Sequence, residues 1–180
     1  ELVDAKDFEQ VTYVLKGAIR NGQIEAWMYE ALTLALDAID APADELERTL
    51  MSAVDYATAD EQLMLTAAYM VRLGHTERGL EIYRQAAIAN PSRPDAYIRA
   101  LDLAQQLNNL PATQWSSLGL IRQAWSKEQQ QIGVRAMRAA KVAYLELVRQ
   151  GKQAEADDFE RQAAQAAGRD VVVEVKWTGD

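Results

Sequence analysis

The sequence predicts an all-α fold, a succession of helix hairpins, and three observations carry that expectation. Ala-rich stretches place apolar residues at i, i+3, i+4 and i+7, the spacing that gathers them on one helix face. Gly and Pro punctuate the chain between those stretches, at Gly22, Pro42, Gly74, Pro91, Pro94, Pro111, Gly151 and Gly168, where they end helices rather than interrupt them. With 49% hydrophobic residues in a chain of 180, there is enough apolar side chain for one sizeable core, in one compact domain or one short repeat array.

About nine helices are expected from these start and stop signals. The first runs over 5–20 and stops at Asn21-Gly22, a pair that accepts the left-handed backbone of a helix end. The second, 23–39, closes at Asp40-Ala41-Pro42. The third starts after Pro42 with Asp44, Glu45 and Glu47 near its positive end, which acids stabilise, and runs to residue 56. The fourth, 60–73, turns at Gly74-His75 into the fifth, 76–89. Asn90-Pro91-Ser92-Arg93-Pro94 is a hard break, because two prolines so close cannot sit in a helix interior. The sixth covers 95–107, and Asn108-Asn109-Leu110-Pro111 leads to the seventh, 112–125. A long eighth helix, 128–150, ends at Gly151, and the ninth covers 152–167 before Gly168. Short turns between such helices favour antiparallel neighbours.

The last stretch differs. Val171-Val172-Val173-Glu174-Val175-Lys176-Trp177 is a β-branched, strand-like run, and Thr178-Gly179-Asp180 has turn chemistry. A single strand has no partner for its backbone groups. The chain is therefore expected to be a fragment of a longer protein, with 170–180 the start of a following β domain or a linker to it.

Composition removes whole classes of function. Asp and Glu number 27 against 19 Lys and Arg, a net charge of −8, which disfavours nucleic-acid phosphates and anionic membrane surfaces. The absence of cysteine and the single histidine, His75, exclude disulfides, thiolate metal sites, thiol nucleophiles and any Cys/His or Ser/His pair other than one built on His75. No run approaches the roughly 18 apolar residues of a membrane span, so no membrane insertion is expected. The first seven residues have neither the basic nor the apolar region of a leader. No phosphate loop, nucleophile–base pair or metal set is visible, and the expectation is a non-enzymatic protein without catalytic residues, cofactor or metal.

A fixed period is present. Residues 60–93 place Leu63 at a large first-helix position, Ala67 at a small one and Leu73-Gly74 at the turn; Gly79, Tyr83 and Ala86 follow in the second helix, and Pro91 near the end. Small residues let paired helices approach, the aromatic fills the space between them, and Gly and Pro fix the turns. On these residues the segment closely resembles the tetratricopeptide (TPR) repeat. Neighbouring segments keep the period with weaker residues. Trp27, Leu63 and Tyr97 are 36 and 34 apart, Ala31, Ala67 and Leu101 likewise, and Leu50 and Ala53 precede Tyr83 and Ala86 by 33. The copy at 94–127 has Asn108 at the turn, Thr113 at the small position, and Ser117 beside Leu118 where an aromatic belongs.

The resemblance implies a right-handed superhelix of antiparallel helix hairpins over 1–169. Its best repeat is 60–93, with degenerate copies at 24–59 and 94–127 and a capping hairpin at 128–167 whose expected core aromatics are Tyr144 and Phe159. More loosely, Lys176-Trp177-Thr178-Gly179-Asp180 resembles the opening strand of a β-sandwich that follows helical repeats in some large bacterial exported proteins. That likeness leans the parent protein toward an extracytoplasmic bacterial one.

In TPR arrays, fixed positions of each first helix line a concave ligand groove. Carried over, they are Glu25, Met28, Leu32 and Ala35; Glu61, Met64, Ala68 and Val71; and Asp95, Ile98, Asp102 and Gln105. The resemblance thus implies an adaptable apolar stripe of Met28, Met64 and Ile98 edged by Glu25, Glu61, Asp95 and Asp102. Such a stripe suits a protein or peptide partner with apolar and basic side chains. The competing reading makes the stripe core, covered by the eighth helix or by a following domain, and the array a spacer that holds flanking domains apart. The carboxylate clamp of some TPR proteins is absent, since Met28, Leu32, Met64 and Ala68 occupy its positions.

The remaining residues of note read as structural. His75 is a turn residue, Glu45 and Glu47 are dipole acids, and Glu155, Asp157, Asp158 and Glu160 fan over a solvated helix. Arg135, Arg138, Lys141 and Arg149 form a solvated face rather than a phosphate groove. Trp27, Trp115 and Trp125 are expected in the core or between helices.

Overall fold

A computed structural model describes residues 7–168. Among them lie nine α-helices and no strand: α1 (Phe8–Arg20), α2 (Ala26–Ala38), α3 (Ala43–Asp55), α4 (Asp60–Arg72), α5 (Thr76–Ala89), α6 (Pro94–Gln106), α7 (Leu110–Ile121), α8 (Gln130–Arg149) and α9 (Gln153–Ala167). The all-α expectation holds, and consecutive helices pack against each other. The strand-like run 171–177 and the expected domain start near 170 lie outside the described residues.

Local chemistry sets the helix ends. The Asp7 carboxylate accepts from the Gln10 N–H at 3.1 Å and starts α1. The Asn109 side chain accepts from the Ala112 N–H at 3.0 Å and starts α7, with Pro111 in the first turn where a missing N–H costs nothing. At 40, 74 and 108 the chain turns the same way three times. Asp40, Gly74 and Asn108 have φ of 52°, 87° and 51°, the left-handed region that Gly, Asn and Asp accept most readily. The residue after each closes the helix before it: Ala41, His75 and Asn109 donate their N–H groups to the carbonyls of Leu36, Met70 and Ala104 at 3.0, 2.9 and 2.8 Å. This is the Schellman closure of a helix C-terminus. Helices α2, α4 and α6 start at Ala26, Asp60 and Pro94, each 34 residues after the last, and α3, α5 and α7 follow at intervals of 33 and 34.

The chain divides into two compact units, Glu1–Arg99 and Ala100–Asp180, with the boundary inside α6. In the first, α1 packs on α2, α2 on α3, α3 on α4 and α4 on α5. Leu15, Met28, Leu32, Leu36 and Leu46 form a buried cluster across α1, α2 and α3. Tyr29 and Tyr56 stack with ring centroids 5.4 Å apart. The α4/α5 hairpin closes at Gly79, where a Cβ would stand 2.4 Å from Val71 Cγ2 and 3.1 Å from the Ala67 carbonyl oxygen. That approach is why the position is Gly, and Tyr83 and Ala86 are buried on the same helix.

In the second unit α7 packs against both α8 and α9, which pack on each other, and residues 116–121 of α7 are all buried. Ser116 and Ser117 survive there because their hydroxyls donate to the Ala112 and Gln114 carbonyls at 2.6 and 2.9 Å. Phe159 is buried and Tyr144 half-buried. The Trp125 ring lies on Gly133, and its Nε1 donates to the Leu120 carbonyl at 3.0 Å.

Candidate functional site

The 34-residue spacing of helix starts and turns corrects the register of the first copy. Matching Trp27 to Leu63 demands a spacing of 36; at the observed 34 the counterparts of Leu63, Ala67 and Met70 are Tyr29, Thr33 and Leu36. Thr33, Leu36, Ala67 and Met70 are all buried, as are Leu101 and Ala104 a further 34 residues on. The counterparts of Glu61, Met64, Ala68 and Val71 are then Trp27, Glu30, Leu34 and Asp37.

Burial follows this frame. Met28 and Leu32 are only 5% and 4% exposed, within the Leu15–Leu36–Leu46 cluster, with Val11 and Ile19 of α1 against it. Ala35 is buried too, and Glu25 precedes the helix. Glu25, Met28, Leu32 and Ala35 therefore do not line an open face. Trp27 and Leu34 do: they are 57% and 58% exposed, one helical heptad apart. The expectation of a core Trp27 is thus overturned. The signal that identifies the right frame was present in Asp40 and Asn108, two residues tolerant of left-handed backbone set 34 positions either side of Gly74.

On α4, Glu61 and Ala68 are exposed and Met64 and Val71 half-buried. Asp37 and Arg72 join α2 to α4 with a 2.6 Å ion pair. The same guanidinium lies 4.1 Å from the centre of the Tyr69 ring. Burial, and then the Asp37 carboxylate, push the Tyr69 hydroxyl up to about 12. Between Trp27 and Leu34 stands Glu30, whose Oε1 is buried without a hydrogen-bond partner among the described residues.

Three of the four acids expected to edge the stripe, Glu61, Asp95 and Asp102, are matched by the chain's own arginines. Arg93 reaches Asp60 and Glu61 at 2.7 Å each and Asp95 at 4.0 Å. The Arg93 hydrogen bond, with Asn90 also donating, holds the Asp60 carboxyl below the usual carboxylate range. Asp102, in the second unit, pairs with Arg135, while Ile98 is half-buried.

Other polar residues tie helices together. His75 begins α5 with Nδ1 3.7 Å from Glu47, which also meets Arg78 at 3.4 Å. Glu45 does more than face a helix dipole, since it accepts from Lys16 at 2.6 Å and links α1 to α3. On α9, Glu155 pairs with Lys152 at 3.4 Å, Asp157 accepts from Gln153 at 2.7 Å and Asp158 pairs with Arg161. Among the described residues no cluster of three His, Asp or Glu side chains suits a metal ion, and no helix is long and apolar enough to cross a membrane. The repeat geometry stands on this chain alone: no family model, curated protein or solved structure matches it.

Proposed function

We propose that the chain is a TPR-like helical-repeat module, non-enzymatic, that binds a protein or peptide on the first-helix face of its repeats. The observation that carries this reading is the exposed pair Trp27 and Leu34 on α2, with Glu30 between them in the helix. Covering the two apolar side chains is favourable at roughly 25 cal/mol per Å². Glu30, between them on the same helix, adds a carboxylate that favours a Lys, Arg or amide donor on the same partner. The partner is therefore a segment that alternates apolar with basic or amide side chains. The 34-residue period and the Gly79 contact support the TPR-like assignment.

A structural spacer is the second reading. It is favoured by Arg93 and Arg135, which match Glu61, Asp95 and Asp102 within the chain and leave less charge for a partner. The two readings separate in an affinity capture from native lysate with the wild type and a Trp27→Glu/Leu34→Glu variant, both checked by circular dichroism. The binding module predicts a protein retained by the wild type and lost by the folded variant. Identical capture profiles from the two folded proteins contradict it and leave the spacer.

A further inference from the structure

We propose that α8 carries a second docking face, independent of the repeat face, that takes an acidic amphipathic helix from another protein. Val134, Met137, Lys141, Leu145 and Val148 follow one another at steps of 3, 4, 4 and 3, the seam spacing with which one helix packs along another. The seam faces outward: Val134, Met137 and Leu145 are 50%, 51% and 53% exposed, and Val148 is exposed with them. It is flanked by two hollows that share Met137 and Lys141. One, of about 640 Å³, lies beside Trp125 and Gly133. The other, of about 380 Å³, lies between α8 and α9 and is walled by Tyr144 and Phe159. Together they give a helix-sized apolar track with aromatic anchors, the form that helix-in-groove recognition takes.

Charge selects the occupant. The chain carries −8 overall, and on α8 Arg135 and Arg149 are spent on Asp102 and Glu146. Arg138 and Lys141 line the larger hollow and make no ion pair among the described residues. Glu160 lines the smaller hollow together with Lys141, without an ion pair between the two. Two cations without an ion pair among the described residues, one at the centre of the seam and one beside it, favour carboxylates opposite them. A second copy of this chain does not answer. Lys141 is the midpoint of 134 and 148, so a symmetric α8–α8 pairing, parallel or antiparallel, sets Lys141 against its own counterpart. A like-charge contact of that kind selects against the pairing. An acidic helix with apolar residues on its own seam meets both requirements.

The test uses the full chain and two synthetic probes of about 21 residues, three heptads. One carries Leu on the seam and Glu on the flanks, and the other carries Lys in place of Glu. Binding is read by fluorescence anisotropy at low and moderate salt, with sedimentation of the protein alone. The expected result is binding of the Glu probe that weakens with salt, and the Lys probe weaker by about tenfold or more. In Arg138→Glu/Lys141→Glu, whose side chains are exposed, the preference reverses while the helical signal is unchanged. Trp27→Glu/Leu34→Glu binds the Glu probe like the wild type, which keeps this site separate from the repeat face. Equal binding of the two probes, no binding, or an unreversed preference overturns the proposal. A dimer of the protein alone that Met137→Glu dissociates assigns the face to a second copy instead. Binding that appears only in Trp177→Asp assigns it to the chain's own residues 171–177.

Discussion

Met28 of α2 and Met64 of α4 sit on helices of equal length that begin 34 residues apart, yet one is core and the other only half-buried. Met28 is packed among Leu15, Leu32, Leu36 and Leu46, while Met64 is half-buried on α4. They are 36 residues apart, two more than the repeat. On a helix of 3.6 residues per turn two residues are about 200°, so the offset carries a side chain from one face to the opposite one. Repeat faces are thus only as well defined as the register that assigns them. In this chain the left-handed turns at Asp40, Gly74 and Asn108 hold that register more firmly than the large apolar residues do.

The contrast is sharpest in stability. Met28→Glu places an unpaired charge in the α1/α2/α3 cluster and is expected to cost on the order of 3–5 kcal/mol, whereas Met64→Glu costs about 1 kcal/mol or less. Chemical denaturation of the two variants checks this, and equal losses would contradict the difference in burial. The next effect is steric. Gly79→Ala drives a Cβ into Val71 and the Ala67 carbonyl and is expected to destabilise by about 1–3 kcal/mol despite the helix propensity of Ala. Gly17→Ala, on α1 with open space at its Cβ, is expected to stabilise by about 0.5–1 kcal/mol. Thermal melts of the pair read the sign directly. Trp27→Ala removes an exposed ring and is expected to change stability by no more than about 0.5 kcal/mol, in contrast to a core tryptophan.

The smallest expected effects are in titration. Asp60 is held below the usual carboxylate range by Arg93, and Glu146 is pushed down to about 2 by its hydrogen bonds from Arg149 and Gln150. A carboxyl whose folded pKa is lowered contributes stability above its unfolded value and loses it as pH falls through the folded one. For Glu146 the window runs from the ordinary 4.5 down to about 2. Carboxyl NMR titration is expected to show both midpoints depressed. Arg93→Ala is expected to return Asp60 to the ordinary range, and Arg149→Ala to raise Glu146 toward it. An unmoved midpoint in either variant contradicts the assigned cause.

Much of the fold was legible because Gly and Pro stop helices by rules that act over a few residues. Gly74, Gly151 and Pro94 mark ends where the structure has them. The middle hairpin was legible as well, since Gly79, Tyr83 and Ala86 are determined by the contact between α4 and α5 alone. The face of α2 was not. Trp27 is a large apolar residue in an apolar helix, and nothing local says that α1 covers Met28 and Leu32 instead. Nor was the cancellation of Glu61, Asp95 and Asp102, because ion pairs that reach across helices, such as Arg93 to Glu61 and Arg135 to Asp102, have no signature in a single segment. The exposed seam of α8 escaped for a related reason: its apolar residues have the spacing of a buried stripe, and only the packing shows that nothing among the described residues covers them.

Because the chain has no cysteine, thiol labelling can read directly whether α2 presents Trp27 and Leu34 rather than Met28 and Leu32. Four single variants, Trp27→Cys, Met28→Cys, Leu32→Cys and Leu34→Cys, would each be reacted with a thiol reagent under native conditions and again after denaturation. The 34-residue register predicts rapid native labelling at 27 and 34, and labelling at 28 and 32 that is slowed by orders of magnitude until the protein unfolds. Fast labelling at 28 and 32 with protection at 27 and 34 would contradict it and restore the 36-residue frame.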